Sequence, residues 1–174
     1  LTFEDGREPL HFYLASISIS VFGNTLGALR LPFVVCSLLL IVVVYLIAKE
    51  LYGAQVGTIS ALLCACTVWS MYLGRYATRS VVFALVLSIA FYFSLYAWRT
   101  NRMHIWLLSG FLFGLTYYTY PVNLFVMPTI ICILCGAYFC YRDQLVTNWK
   151  GVFWMGLIVI LIALPVLIYR IELV

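Results

Sequence analysis

The feature that most constrains this chain is a series of long apolar stretches, each bounded by a short polar cluster. The clusters fall at residues 4–8, 49–50, 75–80, 99–104, 142–150 and 170–172. Hydrophobic residues make up 66% of the sequence and charged residues only 9%, against roughly 25% charged in a soluble domain. A water-soluble fold could not bury this much apolar surface. The sequence therefore predicts an all-α, polytopic transmembrane helix bundle, because helices satisfy their own backbone hydrogen bonds in lipid.

Six apolar stretches approach the length of about 20 residues that a helix needs to cross a bilayer. We expect spans at residues 25–48, 53–73, 80–98, 103–118, 122–140 and 151–169. Residues 9–22 are too short to cross comfortably, and they begin with Pro9, which suits the first turn of a helix. The sequence thus predicts a single transmembrane domain over residues 1–174, with a loop remnant at 1–8, an interfacial helix at 9–22 and six spans within 25–170.

Charge and cysteine content narrow the classes of function. The net charge is +4, but the basic residues are scattered at segment ends and form no stripe, which argues against nucleic acid as a partner. No span carries a charge at its centre, which argues against a transporter. Six cysteines lie in or beside apolar runs, and we interpret the Cys132 and Cys135 pair as packing residues. No cofactor is expected; a divalent metal is possible, but the sequence does not indicate one.

The basic residues divide evenly if successive spans alternate in direction. One side of the membrane then receives Lys49, Arg99, Arg102, Arg142 and Lys150. The other side receives only arginines, namely Arg7, Arg30, Arg75, Arg79 and Arg170. The positive-inside rule does not choose between the two sides. Because a guanidinium binds phosphate or carboxylate with two parallel hydrogen bonds, the all-arginine side is the better suited to anions.

A polar face is predicted near the outer end of the second span. Tyr72, Arg75, Tyr76 and Arg79 follow the i, i+3, i+4, i+7 pattern, so on a continuous helix they would share one side. Two guanidiniums there could hold a phosphate at the bilayer surface. The alternative is that these side chains only extend to lipid headgroups, and the spacing alone does not decide between the two.

Carboxylates and small residues complete the candidate features. On the all-arginine side, a general base within this chain could come only from Glu4, Asp5, Glu8 or Glu172. Each of these could equally belong to a solvated loop beside a helix. Gly110 and Gly114 have the spacing of a small-residue face, where the backbone of another helix could approach closely.

Four segments resemble bacterial protein-mannosyltransferase-like glycosyltransferases, a family related to the lipid A aminoarabinose transferases. They are residues 6–14 (GREPLHFYL), 21–32 (VFGNTLGALRLP), 73–79 (LGRYATR) and 110–120 (GFLFGLTYYTY). The resemblance implies a C-type glycosyltransferase fold in a bacterial cytoplasmic membrane, with membrane lipids and a polyprenyl-phosphate-linked sugar donor as partners. It implies transfer of the sugar on the extracytoplasmic face.

The same resemblance assigns roles to residues. It places Arg75 and Arg79 near the donor phosphate, and Glu8 at the end of a first-loop motif as the catalytic candidate in this chain. The helical spacing adds Tyr72 and Tyr76 to the predicted donor-binding residues. The family's main acidic residue is expected before Leu1, and many members carry a further C-terminal part. The chain therefore resembles an incomplete fragment, inactive by itself. The alternative is a non-catalytic structural subunit that packs against other membrane subunits of a larger complex.

Overall fold

The computed structural model describes residues 9–68, 72, 74, 76, 78–119 and 142–172. Within these residues there is no strand, which confirms the all-α prediction. Six α-helices have both of their ends in the described part of the chain, and a 3-10 helix, Thr116–Tyr118, follows the fifth of them. The helices are α1 (Pro9–Phe22), α2 (Leu26–Tyr52), α3 (Ala54–Cys66), α4 (Arg79–Thr100), α5 (Met103–Leu115) and α6 (Arg142–Glu172).

Three helices are long and apolar enough to cross a membrane. Their candidate spans are Leu26–Tyr52, Ser80–Thr100 and Asn148–Val166, and they overlap the first, third and sixth spans predicted from the sequence. Only 6% of the most apolar part of α2 is buried within the bundle. Its apolar surface is therefore available to lipid, as expected of an integral membrane protein.

Two helices are shorter than the predicted spans. α3 and α5 contain 13 residues each, whereas the sequence predicted spans at 53–73 and 103–118. A threonine hydroxyl bonds a preceding carbonyl oxygen where each helix ends: Thr67 donates to Leu63 at 2.7 Å and Thr116 donates to Phe113 at 2.6 Å. Such bonds offer the carbonyl an alternative to the regular helical partner. The predicted span at 122–140, with Cys132 and Cys135, lies outside the described residues.

α6 begins earlier than the span predicted at residue 151. Its first residue is Arg142 and its last is Glu172. The apolar pattern starts only after residue 150, so hydrophobicity alone gave no sign of the polar first two turns. Helices of membrane proteins commonly continue past the hydrocarbon core, because the length of the apolar stretch fixes only the spanning part.

The helices pack in a chain of neighbours. α1 and α3 pack on α2, α2 packs on α4, α4 on α5, and α5 on α6. One hydrophobic cluster joins α1, α2 and the beginning of α4 through Ala15, Phe33, Val81 and Val82. A second cluster joins the rest of α4 to α5 and α6. α4 therefore takes part in both clusters.

Directions follow from specific contacts. α2 and α3 are antiparallel, because Gly53 reverses the chain between them with a φ of 95° that favours glycine. α1 is antiparallel to the first half of α2: the Ser18 hydroxyl donates to the Ala28 carbonyl oxygen at 2.6 Å, and the His11 ring lies 4.7 Å from the Phe33 ring.

α5 and α6 run parallel and approach closely. A Cβ atom on Gly110 would lie 2.7 Å from the Met155 carbonyl oxygen, and one on Gly114 would lie 2.7 Å from Cβ of Ile162. These contacts confirm that the Gly110 and Gly114 face receives another helix. Such close approach lets dispersion contacts accumulate between helices that lipid does not drive together.

The basic cluster at residues 99–102 lies at one end of this bundle. Arg99 Nη1 donates to Glu50 Oε1 at 2.9 Å, which joins the end of α4 to the end of α2. The amide of Asn148 donates to the Trp98 carbonyl oxygen at 3.4 Å. The beginning of α6 therefore lies at the same end, whereas Arg79 begins α4 at the opposite end.

Candidate functional site

The two tyrosines of the predicted polar face lie together. The Tyr72 and Tyr76 rings are 4.4 Å apart between centroids with planes 32° apart, and the Tyr76 N–H donates to the Tyr72 carbonyl oxygen at 3.1 Å. The predicted i, i+4 relation between them is therefore present. Both rings are exposed, Tyr72 by 46% and Tyr76 by 64%, so both remain accessible to a ligand or to lipid.

The helix that would align all four predicted residues is interrupted. Thr78 has an extended backbone with φ −80° and ψ 143°, and α4 starts afresh at Arg79. Arg79 therefore does not continue the helical turn of Tyr72 and Tyr76, and the expectation of one continuous helical face is wrong. Thr78 was the signal available in the sequence for this break, because threonine is a favoured N-cap residue. Arg75 lies outside the described residues.

Gly74 seats this turn against α2. A Cβ atom at Gly74 would lie 3.0 Å from Cβ and 3.3 Å from Oγ of Ser37, so only a residue without a side chain fits here without displacement. The next nearest contact would be the Phe33 carbonyl oxygen at 3.8 Å. The turn that carries Tyr72 and Tyr76 is thus fixed at the level of Phe33 and Ser37 on α2.

The beginning of α1 reaches the same level of α2. His11 is in the first turns of α1, and its ring packs on Phe33, which is completely buried. Pro9 is the first residue of α1, so the chain enters α1 near this contact. Glu8, the catalytic candidate from the sequence, precedes Pro9 and lies outside the described residues. One side of the predicted site is therefore the turn that carries Tyr72 and Tyr76 (the tyrosine turn). The other side is marked by the start of α1.

α4 supplies the third side. Val81 and Val82 pack with Phe33 in the first hydrophobic cluster, and Arg79 precedes them by less than one helical turn. Three elements therefore converge around Phe33: the first turns of α1, the tyrosine turn and the first turn of α4. The sequence did not indicate Phe33 as their common contact, because an apolar residue in an apolar stretch carries no distinguishing signal.

Negative charge is scarce around this site. Between residues 9 and 142 the sequence contains one carboxylate, Glu50, and it pairs with Arg99 at the other end of the bundle. α6 ends at Glu172 on the same end as Arg79, but the helix on which α6 mainly packs is α5. Within the described residues, no group of three or more His, Cys, Asp or Glu is placed to hold a metal ion. The described side chains of the site are therefore mainly aromatic and apolar, and the charges that the sequence adds nearby are those of arginines.

Such an arrangement suits a ligand with a phosphate at the surface of a membrane. Exposed aromatic rings and arginines at a helix end belong where hydrocarbon meets water, and guanidiniums bind phosphate strongly through charge-assisted hydrogen bonds. The fold and the apolar helices define an integral membrane protein, and the turn with Tyr72 and Tyr76 beside the start of α4 is its candidate site.

The sequence of the chain places it in a family. The model of the dolichyl-phosphate-mannose-protein mannosyltransferase family matches residues 7–169, and the chain belongs to this family of membrane glycosyltransferases. The resemblance predicted from the four motif segments is thereby confirmed. No curated protein and no solved structure gives a significant match. Bacterial origin and the fragment interpretation stay predictions.

Proposed function

We propose that this chain acts in a membrane glycosyltransferase. The enzyme transfers a sugar from a polyprenyl-phosphate-linked donor to an acceptor on the extracytoplasmic face of a bacterial cytoplasmic membrane. The family match over residues 7–169 carries the proposal, because the family's description names a sugar joined to a lipid phosphate. The aromatic site around Phe33, with the arginines that the sequence adds nearby, supports it.

The reaction explains what the site must provide. An acceptor hydroxyl forms a bond to the anomeric carbon of the sugar while the bond from that carbon to the donor phosphate oxygen breaks. The lipid phosphate leaves with additional negative charge, which guanidiniums stabilise most where water is excluded. Arg75 and Arg79 are the residues to which we assign this role, with Tyr72 and Tyr76 beside them.

The acceptor proton needs a base. A carboxylate is the usual group for this task, and Glu8 is the candidate in this chain. Its proposed position follows from Pro9, which opens α1 near the Phe33 contact.

The lipid tail of the donor needs an apolar surface beside the site. The outer face of α1 offers one, since Phe12 is 47%, Tyr13 66% and Ile17 62% exposed. α2 adds exposed side chains such as Val34 and Leu38 close to the same level. A tail lying along these residues would bring its phosphate to the first turn of α4.

The test is transfer of a radiolabelled sugar from a panel of polyprenyl-phosphate donors by the protein expressed from its complete gene and reconstituted in lipid nanodiscs. Arg75→Gln and Arg79→Gln should each lower turnover or donor affinity about tenfold or more, as loss of a charge-assisted hydrogen bond predicts. Arg102→Gln, at the opposite end of α4, is the matched control and should stay within about twofold.

Two outcomes would refute the proposal. Activity within about twofold in both arginine variants would leave these residues as headgroup anchors. Absence of transfer by the wild-type protein with every donor would favour the alternative, a structural subunit. Labelling of single cysteines at positions 79 and 102 in intact cells also tests the assigned face, because the two positions should be modified from opposite sides.

A further inference from the structure

The parallel helices α2 and α4 keep a constant register. At one end Phe33 packs in one cluster with Val81 and Val82, and at the other end Glu50 pairs with Arg99. Phe33 and Glu50 are seventeen positions apart, and Arg99 follows Val82 by seventeen positions and Val81 by eighteen. Because both helices rise by about 1.5 Å per residue, these nearly equal separations place residues 48 or 49 apart in number at closely similar heights.

This register places Arg30 close to the height of Arg79. Arg30 lies three residues before Phe33 on α2, and Arg79 lies three residues before Val82 on α4. Both are helical, so each stands almost one turn, about 4.5 Å, beyond the buried cluster toward the same end. Packed helix axes are separated by about 8–10 Å. Two long arginine side chains at this separation can meet on one anion.

Arg30 also faces the tyrosine turn. Arg30, Phe33 and Ser37 follow the i, i+3, i+7 pattern, which lines up one stripe along a helix. Phe33 and Ser37 on this stripe are the residues against which Gly74 is seated. Arg30 is thus the outermost member of the stripe that carries the turn with Tyr72 and Tyr76.

The charge of Arg30 has no partner in the described part of the chain. Arg30 is exposed, and the carboxylate of α2, Glu50, lies twenty residues away at the other end of the helix. Arg99 has such a partner and Arg30 does not. An anion bound by arginines from both helices would be attracted by two positive charges.

We propose that Arg30 and Arg79 together bind one phosphate group at the membrane surface, which makes Arg30 a further donor-binding residue. The proposal rests on the proposed function for the source of that phosphate, the polyprenyl-phosphate donor. The chemistry itself, a phosphate held by two guanidiniums, would be the same for a phospholipid headgroup. The experiment must therefore separate these two sources.

Binding is measured first, without catalysis. A fluorescent short-chain polyprenyl phosphate is titrated against the purified protein, expressed from its complete gene, in a maltoside detergent that contains no phosphate. Arg30→Gln should weaken binding about tenfold or more, and Arg30→Lys should weaken it less, because a lysine keeps the charge but loses the two-pronged contact. Arg102→Gln should stay within about twofold.

The double variant tests whether both arginines act on one group. If Arg30 and Arg79 share a phosphate, the loss in the Arg30→Gln, Arg79→Gln protein should be smaller than the product of the two single losses, since neighbouring residues on one ligand are not additive. Independent, multiplying losses would overturn the shared site. The shared site would also be overturned if Arg30→Gln binds polyprenyl phosphate as the wild type does and unfolds at the same temperature as the wild type.

Competition identifies the source of the phosphate. If the site is for the donor, phosphatidylglycerol should displace the fluorescent lipid only in large excess, whereas equal displacement at equal concentration would overturn the assignment to the donor. Sugar transfer separates this inference from the proposed function. Transfer that is normal in Arg30→Gln refutes the role of Arg30 alone, and Arg30-dependent binding without any transfer by the wild type refutes only the enzymatic function.

Discussion

The Ser18 hydroxyl donates a hydrogen bond of 2.6 Å to the carbonyl oxygen of Ala28, the group that would otherwise receive the N–H of residue 32. Residue 32 is a proline inside α2 and has no N–H to donate. Ser18, which is 6% exposed, therefore supplies from α1 the bond that α2 lacks. The contact holds α1 against α2 close to the candidate site.

Ser18→Ala should destabilise the protein by about 1–3 kcal/mol, because the Ala28 carbonyl would be left buried without a donor. Pro32→Ala in the same protein should recover much of this loss, since alanine restores the helical N–H. Unfolding in mixed detergent and dodecyl sulfate gives the free energies for the four members of this double-mutant cycle. Ser20→Ala is the control, because Ser20 is exposed and bonds only within α1. If the effects of Ser18→Ala and Pro32→Ala simply add, the Ser18 hydroxyl does not replace the N–H that Pro32 lacks.

Gly110→Ala should lower the free energy of unfolding by about 1–3 kcal/mol, as expected for overpacking. The new Cβ would meet the Met155 backbone at 2.7 Å, so α5 and α6 must separate. Gly156→Ala on α6 is the matched control: it meets nothing within 4 Å and should be neutral or stabilising by up to about 1 kcal/mol. Equal effects of the two changes, measured by thermal unfolding in detergent, would mean that the Gly110 contact is not close.

Phe33→Ala should cost about 3–5 kcal/mol, the usual range for a buried phenylalanine, because Phe33 is 0% exposed and its side chain packs in the cluster that joins α1, α2 and α4. Phe111→Ala, at a position that is 50% exposed, should change stability by about 1 kcal/mol or less. The same variants also report on function: sugar transfer should fall with Phe33→Ala beyond what the folded fraction explains. A Phe33 variant with normal transfer would separate this cluster from the site.

Cysteine cross-linking tests the register between α2 and α4. In a background without the six native cysteines, cysteines at 30 and 79 should be joined by a short bismaleimide, as should cysteines at 50 and 99. Cysteines at 30 and 99 should not react with each other, since twenty helical residues place them about 30 Å apart. Reaction of 50 with 99 but not of 30 with 79 would contradict a constant register.

Hydrophobicity along the chain was sufficient to predict the all-α membrane fold and the three long spans, because lipid imposes a minimum apolar length. α1 also matches its predicted bounds, and Pro9 marks its start. The helix ends at Thr67 and Thr116 escaped prediction, since a threonine in an apolar run is not distinguished from the rest of the span. α3 ends where Thr67 leaves the helical conformation, with φ −71° and ψ 125°, a backbone change that hydrophobicity does not report.

The candidate site was predicted in part. The proximity of Tyr72 and Tyr76 follows from their spacing alone and was predicted. The similar height of Arg30 and Arg79 depends on how α2 is positioned along α4, which is reflected in the packing of Phe33 with Val81 and Val82. No periodicity within one helix contains that information, so Arg30 was recognised only as one member of an arginine-rich side.

The division of the interior into two clusters has a consequence for the order in which the helices can pack during synthesis. The first cluster draws on residues up to Val86, whereas the second needs residues as far as Ala163. Once α4 has left the ribosome and entered the bilayer, the helices around Phe33 can already pack, while α6 is still being made. Late arrival of α6 then closes the bundle against the glycines of α5. A fault in that last docking step would leave a nascent chain with its first cluster packed and with Gly110 and Gly114 uncovered.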